Sequence, residues 1–376
     1  MTPQDWLILS LLPNLGPRRL AMLRAKRPVW PQGWLALLPE APRRMLRLWL
    51  EQPGRNPFQS EITALERWLA QDRNHHFLHP GHPHWPVLLD EIADPPAVLW
   101  AKGDLSALSP PRVAMVGSRR PTRDGLNNAA AFARGLAERG WCVVSGLALG
   151  IDGQAQQTAL DAGGVSIAVL GCGVDVIYPP RHARLYRRHL QDGGLLLSEH
   201  PPSTPARAAF FPRRNRIVTG LSLGVLVVEA AHRSGSLVSA RLAMEQNRDV
   251  LVLPGSLHNP QAQGCLGLIR QGATLVTRVE ELIDELEHWQ ANPMLSFPQA
   301  SGGTASATQA SSQASSSSVS SDPLLNLLSD VPTPLDALIA LTDKDVSACQ
   351  LRLLELELEG VVAQVSGGWI RLASLA

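Results

Sequence analysis

Arginine stands at two places in this sequence where its neighbours suggest an anionic partner. In the first, Arg119, Arg120 and Arg123 follow Gly117 and Ser118; in the second, Arg213, Arg214 and Arg216 surround Asn215 directly after Phe210, Phe211 and Pro212. A guanidinium is a planar fork of donors that matches phosphate oxygens in pairs, and aromatic rings beside it offer a face on which a base can stack. Serine and glycine recur nearby, as Ser145-Gly146 and Ser234-Gly235-Ser236, supplying small hydroxyls and backbone that a ligand can approach closely. A further run, Arg181, Arg184, Arg187 and Arg188, has helical spacing and reads as a solvated face that adds to the field. Solvated loop charge is the alternative for all of these, with Phe210 and Phe211 as core.

Other chemistries fit less well. Asp152 and Glu199 could act as paired acids, but no third ligand stands at metal spacing, and capping a helix or tethering arginines accounts for them as well. No Ser-His-Asp elbow, Walker loop or Cys/His pair is present, so neither catalytic residues nor a metal or cofactor is expected. Gly171-Cys-Gly173 lacks the third glycine of a dinucleotide fingerprint and follows a later strand than the first, which argues against NAD.

The elements that must carry these residues alternate. Val113 to Val116 reads as a strand buried on both faces and ended by Gly117. A helix runs from about Arg123 to Gly140, placing the arginines at the positive end of its dipole, where a cation costs roughly 0.3–1 kcal/mol unless an anion binds. Further strands are expected at 141–144, 166–170, 195–197, 223–228, 250–253 and 274–276, with helices between them. That is the pattern of a parallel sheet covered on both faces, an α/β, Rossmann-like domain over 112–290. In such sheets ligands bind beyond the carboxyl ends of the strands, near the switch in strand order. The glycine- and serine-rich pieces fall there.

Before this domain, residues 1–75 carry helical Leu and Trp spacings and an excess of basic side chains. They suggest a small helical domain of the SAM or helix-hairpin-helix kind, with Leu11 to Leu20 as its turn and Gly16 as a place for a phosphate to approach. Residues 76–111, broken by prolines, read as a connector. Residues 291–322, rich in Ser and Ala, read as a flexible linker, and 323–376 as three short helices and a hairpin in winged-helix order. This last piece has more acid than base, which suits a protein contact better than a phosphate backbone. The 376 residues have a formal net charge of only +1, so any nucleic-acid surface must be local. The four cysteines are far apart, the N-terminus lacks a signal-peptide pattern, and no apolar run spans a membrane, which together suggest a cytoplasmic protein.

Val116-Gly-Ser-Arg119, Ser145-Gly-Leu-Ala-Leu-Gly-Ile-Asp152, Gly171-Cys-Gly-Val-Asp175 with Tyr178-Pro179, Phe211-Pro-Arg-Arg-Asn-Arg-Ile217, Gly220-Leu-Ser222 and Ser234-Gly-Ser-Leu237 occur together and in order. In this the chain resembles the DNA-processing protein A family (DprA, also called Smf). The resemblance implies an extended Rossmann domain that binds single-stranded DNA, forms a homodimer and helps load the RecA recombinase during natural transformation. It assigns phosphate or DNA contact to Gly117, Ser118, Arg119, Arg120, Ser145, Gly146, Phe211, Arg213, Arg214, Asn215, Arg216, Ser234, Gly235 and Ser236. The chain departs from the family at Gln156, where His is frequent, at Gly264-Cys-Leu266, and at Trp85, where Tyr is common. A nucleotide-cleaving enzyme of the phosphoribohydrolase type resembles the same sheet. It needs a Pro-Gly-Gly-x-Gly-Thr loop, in whose place this chain has Pro254-Gly-Ser-Leu257.

Overall fold

A computed structural model describes residues 1–52, 57–289, 338–339, 346–358, 361–365 and 368–371. The chain divides into two units, 1–302 and 303–376.

The first unit is built on a nine-stranded sheet in the order β1-β2-β6-β5-β4-β3-β7-β8-β9. Its parallel part comprises β3 (Arg112–Gly117), β4 (Cys142–Ser145), β5 (Ser166–Leu170), β6 (Leu195–Ser198), β7 (Gly224–Glu229), β8 (Asp249–Val252) and β9 (Thr274–Leu275). The apolar runs form strands because both of their faces are covered. Val113 and Met115 point to α6 (Arg123–Glu138), α7 (Ile151–Asp161) and α12 (Val279–Leu286). Ala114 and Val116 point to α9 (Phe210–Gly220), α10 (Ser236–Glu245) and α11 (Gln263–Arg270). The chain winds outward from β3 to β6 through α6, α7 and α8 (Ala183–Gln191), then returns to place β7 on the other side of β3. The switch in strand order therefore lies between β3 and β7.

The proline-broken stretch is more than a connector. β1 (His75–Leu78) and β2 (Leu99–Gly103) form an antiparallel hairpin that extends the sheet past β6, with Trp100 opposite Ser198 and Gly103 opposite Leu195. The helices α1 (Pro3–Leu11), α2 (Pro17–Ala25), α3 (Gln32–Leu37), α4 (Glu40–Glu51) and α5 (Gln59–Gln71) share one core with this hairpin. Trp68 packs edge-on to Trp100 at 6.3 Å and stacks on His75. α1 starts where Thr2 and Asp5 bond each other's backbone N–H in a capping box, with Pro3 at the first helical position. At the turn before α2, a side chain added at Gly16 would meet nothing within 4 Å, and Arg18 and Arg19 beyond it are exposed.

Gln156, one of the departures from the family pattern, is fully buried on α7. Its carbonyl accepts the Leu147 N–H at 3.0 Å, and its amide donates to the Ile167 carbonyl at 3.0 Å. His189 lies beside it with no exposed surface; Nδ1 donates to the Leu185 carbonyl, which leaves Nε2 to accept from the Gln156 amide at 3.2 Å. Burial holds this imidazole down at about 4. Between that value and the unfolded 6.5 the unfolded chain binds the extra proton, so stability rises with pH there and is lost as pH falls from about 6.5 to 4. We expect His189→Gln to remove up to about 3 kcal/mol of that acid-induced loss, read as the difference between wild-type and variant urea unfolding at pH 7 and pH 4.5. Parallel curves for the two proteins would rule this out.

In the second unit α13 (Val346–Leu358) precedes a hairpin of β10 (Val362–Val365) and β11 (Gly368–Arg371), in which Ala363 pairs with Ile370. Leu338, Cys349, Leu353, Leu356, Val362 and Trp369 form its core. The linker expected over 291–322 and the helix expected at 324–328 lie outside the described residues, as does most of the helix expected at 335–341.

Candidate nucleic-acid interface

The carboxyl ends of β3, β4 and β7 open on a cleft of about 840 Å³. Its first wall is the loop after β3. The Ser118 N–H donates to the Glu229 carbonyl at 2.8 Å and its carbonyl accepts from Ile151 N–H at 3.1 Å, so β7 and α7 clamp the loop from both sides. Gly117 is required here, because a Cβ would come within 2.6 Å of Ile151. The Ser118 hydroxyl accepts the Arg120 N–H at 3.1 Å and stands 3.4 Å from the Gln261 side chain. Arg119 and Arg120 are left exposed along the rim.

The positive end of α6 is not free for a ligand, contrary to expectation. Thr122 caps it by accepting the Gly125 N–H at 3.0 Å, and the buried Glu229 carboxylate accepts both the Thr122 N–H, at 3.1 Å, and the Thr122 hydroxyl. An internal acid thus compensates the helix dipole. Glu229 thereby anchors the loop between β3 and α6.

The three arginines of α9 go three ways, because successive helical residues are rotated about 100°. Arg213 is half exposed, with its Nε 3.9 Å from Glu199. Arg214 is buried on the cleft floor. It donates to the Val169 carbonyl and lies against Gly146, where a Cβ would occupy the guanidinium's place. Burial pushes it down to about 10, so it keeps its charge at neutral pH. Arg216 does not face the cleft. Its side chain is 6% exposed, donating to Asp94 at 3.0 Å and to Glu199 at 2.7 Å. Its place in the expected DNA contact is therefore corrected, since both forks of the guanidinium are committed to carboxylates of its own chain.

Ser145 is corrected as well. It has no exposed surface, and its hydroxyl donates to the Met115 carbonyl of the neighbouring strand at 2.6 Å. Asp152 bonds the Gly146 N–H at 3.1 Å and so fixes the loop that carries Gly146. Burial raises its pKa, against the pull of Arg214.

Gly117, Ser118, Arg119, Arg120, Gly146, Phe211, Arg214, Asn215, Ser234, Gly235 and Ser236 do line the cleft together. Ser234 and Ser236 sit at the start of α10 with hydroxyls 2.6 Å apart. Phe211 forms the far wall beside Tyr178, ring centroids 5.2 Å apart. It lies over Gly171, where a Cβ would come within 2.9 Å of the ring. Sequence reading missed Arg233, an exposed arginine immediately before Ser234, as well as Gln261 and the inward turn of Tyr178. An arginine preceding a Ser-Gly-Ser loop at a strand end was the available signal for the first. Of the charged residues that line the cleft, Arg119, Arg120, Arg214 and Arg233 are cationic and Asp152 alone is acidic. The lining of the cleft is therefore predominantly cationic. Among the described residues no group of three or more His, Cys, Asp or Glu could hold a metal ion, and no helix is long and apolar enough to cross a membrane.

Residues 76–287, which begin with β1, match the family described as DNA recombination-mediator protein A, and residues 307–368 match the DprA winged helix domain. The chain is 44% identical over 309 residues to protein Smf of Escherichia coli (strain K12), covering 81% of this chain and 79% of that protein. It is 34% identical to protein Smf of Synechocystis over 96% of each. Among solved structures, DNA processing protein A of Streptococcus pneumoniae superposes with a TM-score of 0.64 at 33% identity, over 76% of this chain and 98% of that one. The Helicobacter pylori protein, described for a unique single-stranded DNA binding mode, superposes with a TM-score of 0.51 at 33% identity, over 57% and 96%.

Proposed function

Because the chain belongs to the DNA recombination-mediator protein A family, we propose that its cleft binds single-stranded DNA and that it acts as a non-enzymatic mediator delivering strands to the RecA recombinase. The observation that carries this reading is the concentration of arginine at the switch in strand order: four guanidinium groups against one buried carboxylate in a protein of near-zero net charge. The Helicobacter pylori relative, whose description names single-stranded DNA binding, supports the same choice of ligand. Arg119, Arg120 and Arg233 take phosphates, with the hydroxyls of Ser118, Ser234 and Ser236 beside them. Gly235, where an added side chain would meet nothing within 4 Å, lets the backbone of the strand come close, while Arg214 and Asn215 form the floor. Phe211 and Tyr178 offer ring faces that only unpaired bases can use, which favours single strands over duplex. Arg213 lies outside the cleft and adds to the field. The protein works in the cytoplasm as a homodimer, and the acidic winged-helix unit makes a protein contact.

If about three to five phosphates are held, log affinity against log salt has a slope of roughly −2 to −4. The test compares a labelled single strand with a duplex of the same length by fluorescence anisotropy, and then follows RecA assembly on strands coated with single-strand-binding protein. We expect the single strand to bind at least about tenfold tighter and RecA assembly to be faster with the protein present. Equal binding of the two DNA forms contradicts the reading, and release of free base from a nucleoside monophosphate would favour the phosphoribohydrolase alternative.

A further inference from the structure

The aromatic surface does not end at the cleft. Phe210 and Phe211 are the first two residues of α9, so their rings diverge. Phe211 turns into the cleft wall. Phe210 turns outward and stacks on His200, with centroids 3.9 Å apart and planes at 27°. The Arg207 guanidinium lies over the Phe210 ring, 5.7 Å from its centre.

His200 directly follows β6 and Glu199, so this stack stands at the carboxyl end of β6, three strands along the sheet from β3. At 4.7–4.9 Å per strand the stack lies roughly 14 Å from the Arg119 loop at the end of β3, more than one nucleotide of a strand can span compactly, and it adjoins the Phe211 wall at the far end of the cleft. The charges nearby suit a phosphate backbone. Arg207 and Arg213 are exposed, while the adjacent acid, Glu199, is 15% exposed and turned inward onto Arg216. Burial, reinforced by Arg213, Arg216 and Arg207 and opposed by Glu199, holds the His200 imidazole below its ordinary pKa, so it stays a neutral flat ring.

We propose that a single strand leaving the cleft runs along the carboxyl edge of the sheet and stacks a base on the Arg207–Phe210–His200 group, with Arg207 and Arg213 beside its phosphates. This rests on the reading of the cleft as a single-strand site and adds a second contact to it. The contact recognises any base, because every base presents a ring face.

The test uses the full chain and oligothymidylates of about three and about twenty nucleotides, the short one in competition with the labelled long one. Phe210→Leu keeps an apolar side chain at the helix start, and Arg207→Ala removes only an exposed arginine. Both are expected to weaken the long oligonucleotide about five- to tenfold and to leave the short one within about twofold, whereas Arg119→Ala weakens both. Wild-type affinity for the long oligonucleotide in both outer variants, alongside a loss in Arg119→Ala, overturns the second contact and leaves the cleft reading standing. If Phe210→Leu loses both lengths equally, the helix start has been disturbed and Arg207→Ala decides: without a length-dependent loss the proposal fails. Absence of binding by the wild type to either oligonucleotide defeats the cleft reading and this contact with it.

Discussion

Replacing Arg119 and Arg233 together by alanine is expected to cut affinity for single-stranded DNA by about a hundredfold or more, and to flatten the slope of log affinity against log salt by roughly 1.4. The two stand on different loops, after β3 and after β7, on either side of the switch in strand order. Each charge-assisted contact contributes about 1.5–3 kcal/mol, and each phosphate neutralised on a single strand accounts for about 0.7 of the slope. Both side chains are exposed, and among the described residues neither forms an ion pair with its own chain. The folded state therefore loses nothing it relies on, and the melting temperature should stay within about a degree of the wild type. Anisotropy titrations at several salt concentrations, with a thermal melt of the same samples, separate the two quantities. An unchanged slope would remove these arginines from the interface.

Arg216→Met is expected to do the reverse. The guanidinium joins Asp94, from the segment between β1 and β2, to Glu199 after β6 and to the α9 helix on which it sits. Methionine fills the apolar part of the space but strands two carboxylates, with only Arg213, at 3.9 Å, left near Glu199. Removing one partner of a buried pair costs about 3–5 kcal/mol; because Asp94 is 32% exposed and recovers some hydration, about 2–4 kcal/mol is the appropriate range here. In a unit of this size that lowers the melting temperature by roughly 5–10 °C. The salt slope of DNA binding, measured well below the melt, should match the wild type. A flattened slope with unaltered stability would return Arg216 to the interface.

These two arginine sites show where the sequence was readable and where it was not. The parallel strands could be placed because each is an unbroken apolar run, such as Val225 to Val228, and only burial on both faces explains such runs. β1 and β2 escaped notice because they are four and five residues long, are interrupted by the prolines between them, and pair antiparallel at the sheet's margin, where a strand carries little pattern of its own. The loops of the site were legible for a related reason. Glycine and serine at strand ends mark places where backbone must turn or be approached, and Gly117, Gly146 and Ser234 to Ser236 all line the cleft.

Which arginine faces the ligand was not legible. Arg213, Arg214 and Arg216 are almost adjacent in sequence, and their roles depend on the rotation of α9 and on Glu199, supplied by a different strand end. The same is true of the α6 dipole, which looked available until β7 placed Glu229 against it. Arg233 was missed because a single arginine has no repeat of its own, and its place before Ser234-Gly235-Ser236 gained meaning only once the fold brought that loop to the same cleft as Arg119. Ser145 carried the right residue type at the right strand end, yet the final residue of β4 turns its hydroxyl between strands rather than out of the sheet.

The central claim is that a strand of DNA lies in the cleft between the β3 and β7 loops, and the most direct measurement is a crystal structure of the protein with a short oligothymidylate. The account predicts phosphate oxygens within hydrogen-bond distance of the Arg119 and Arg233 guanidinium groups and a base against Phe211 or Tyr178. A strand bound elsewhere, with these arginines still facing solvent, would contradict it.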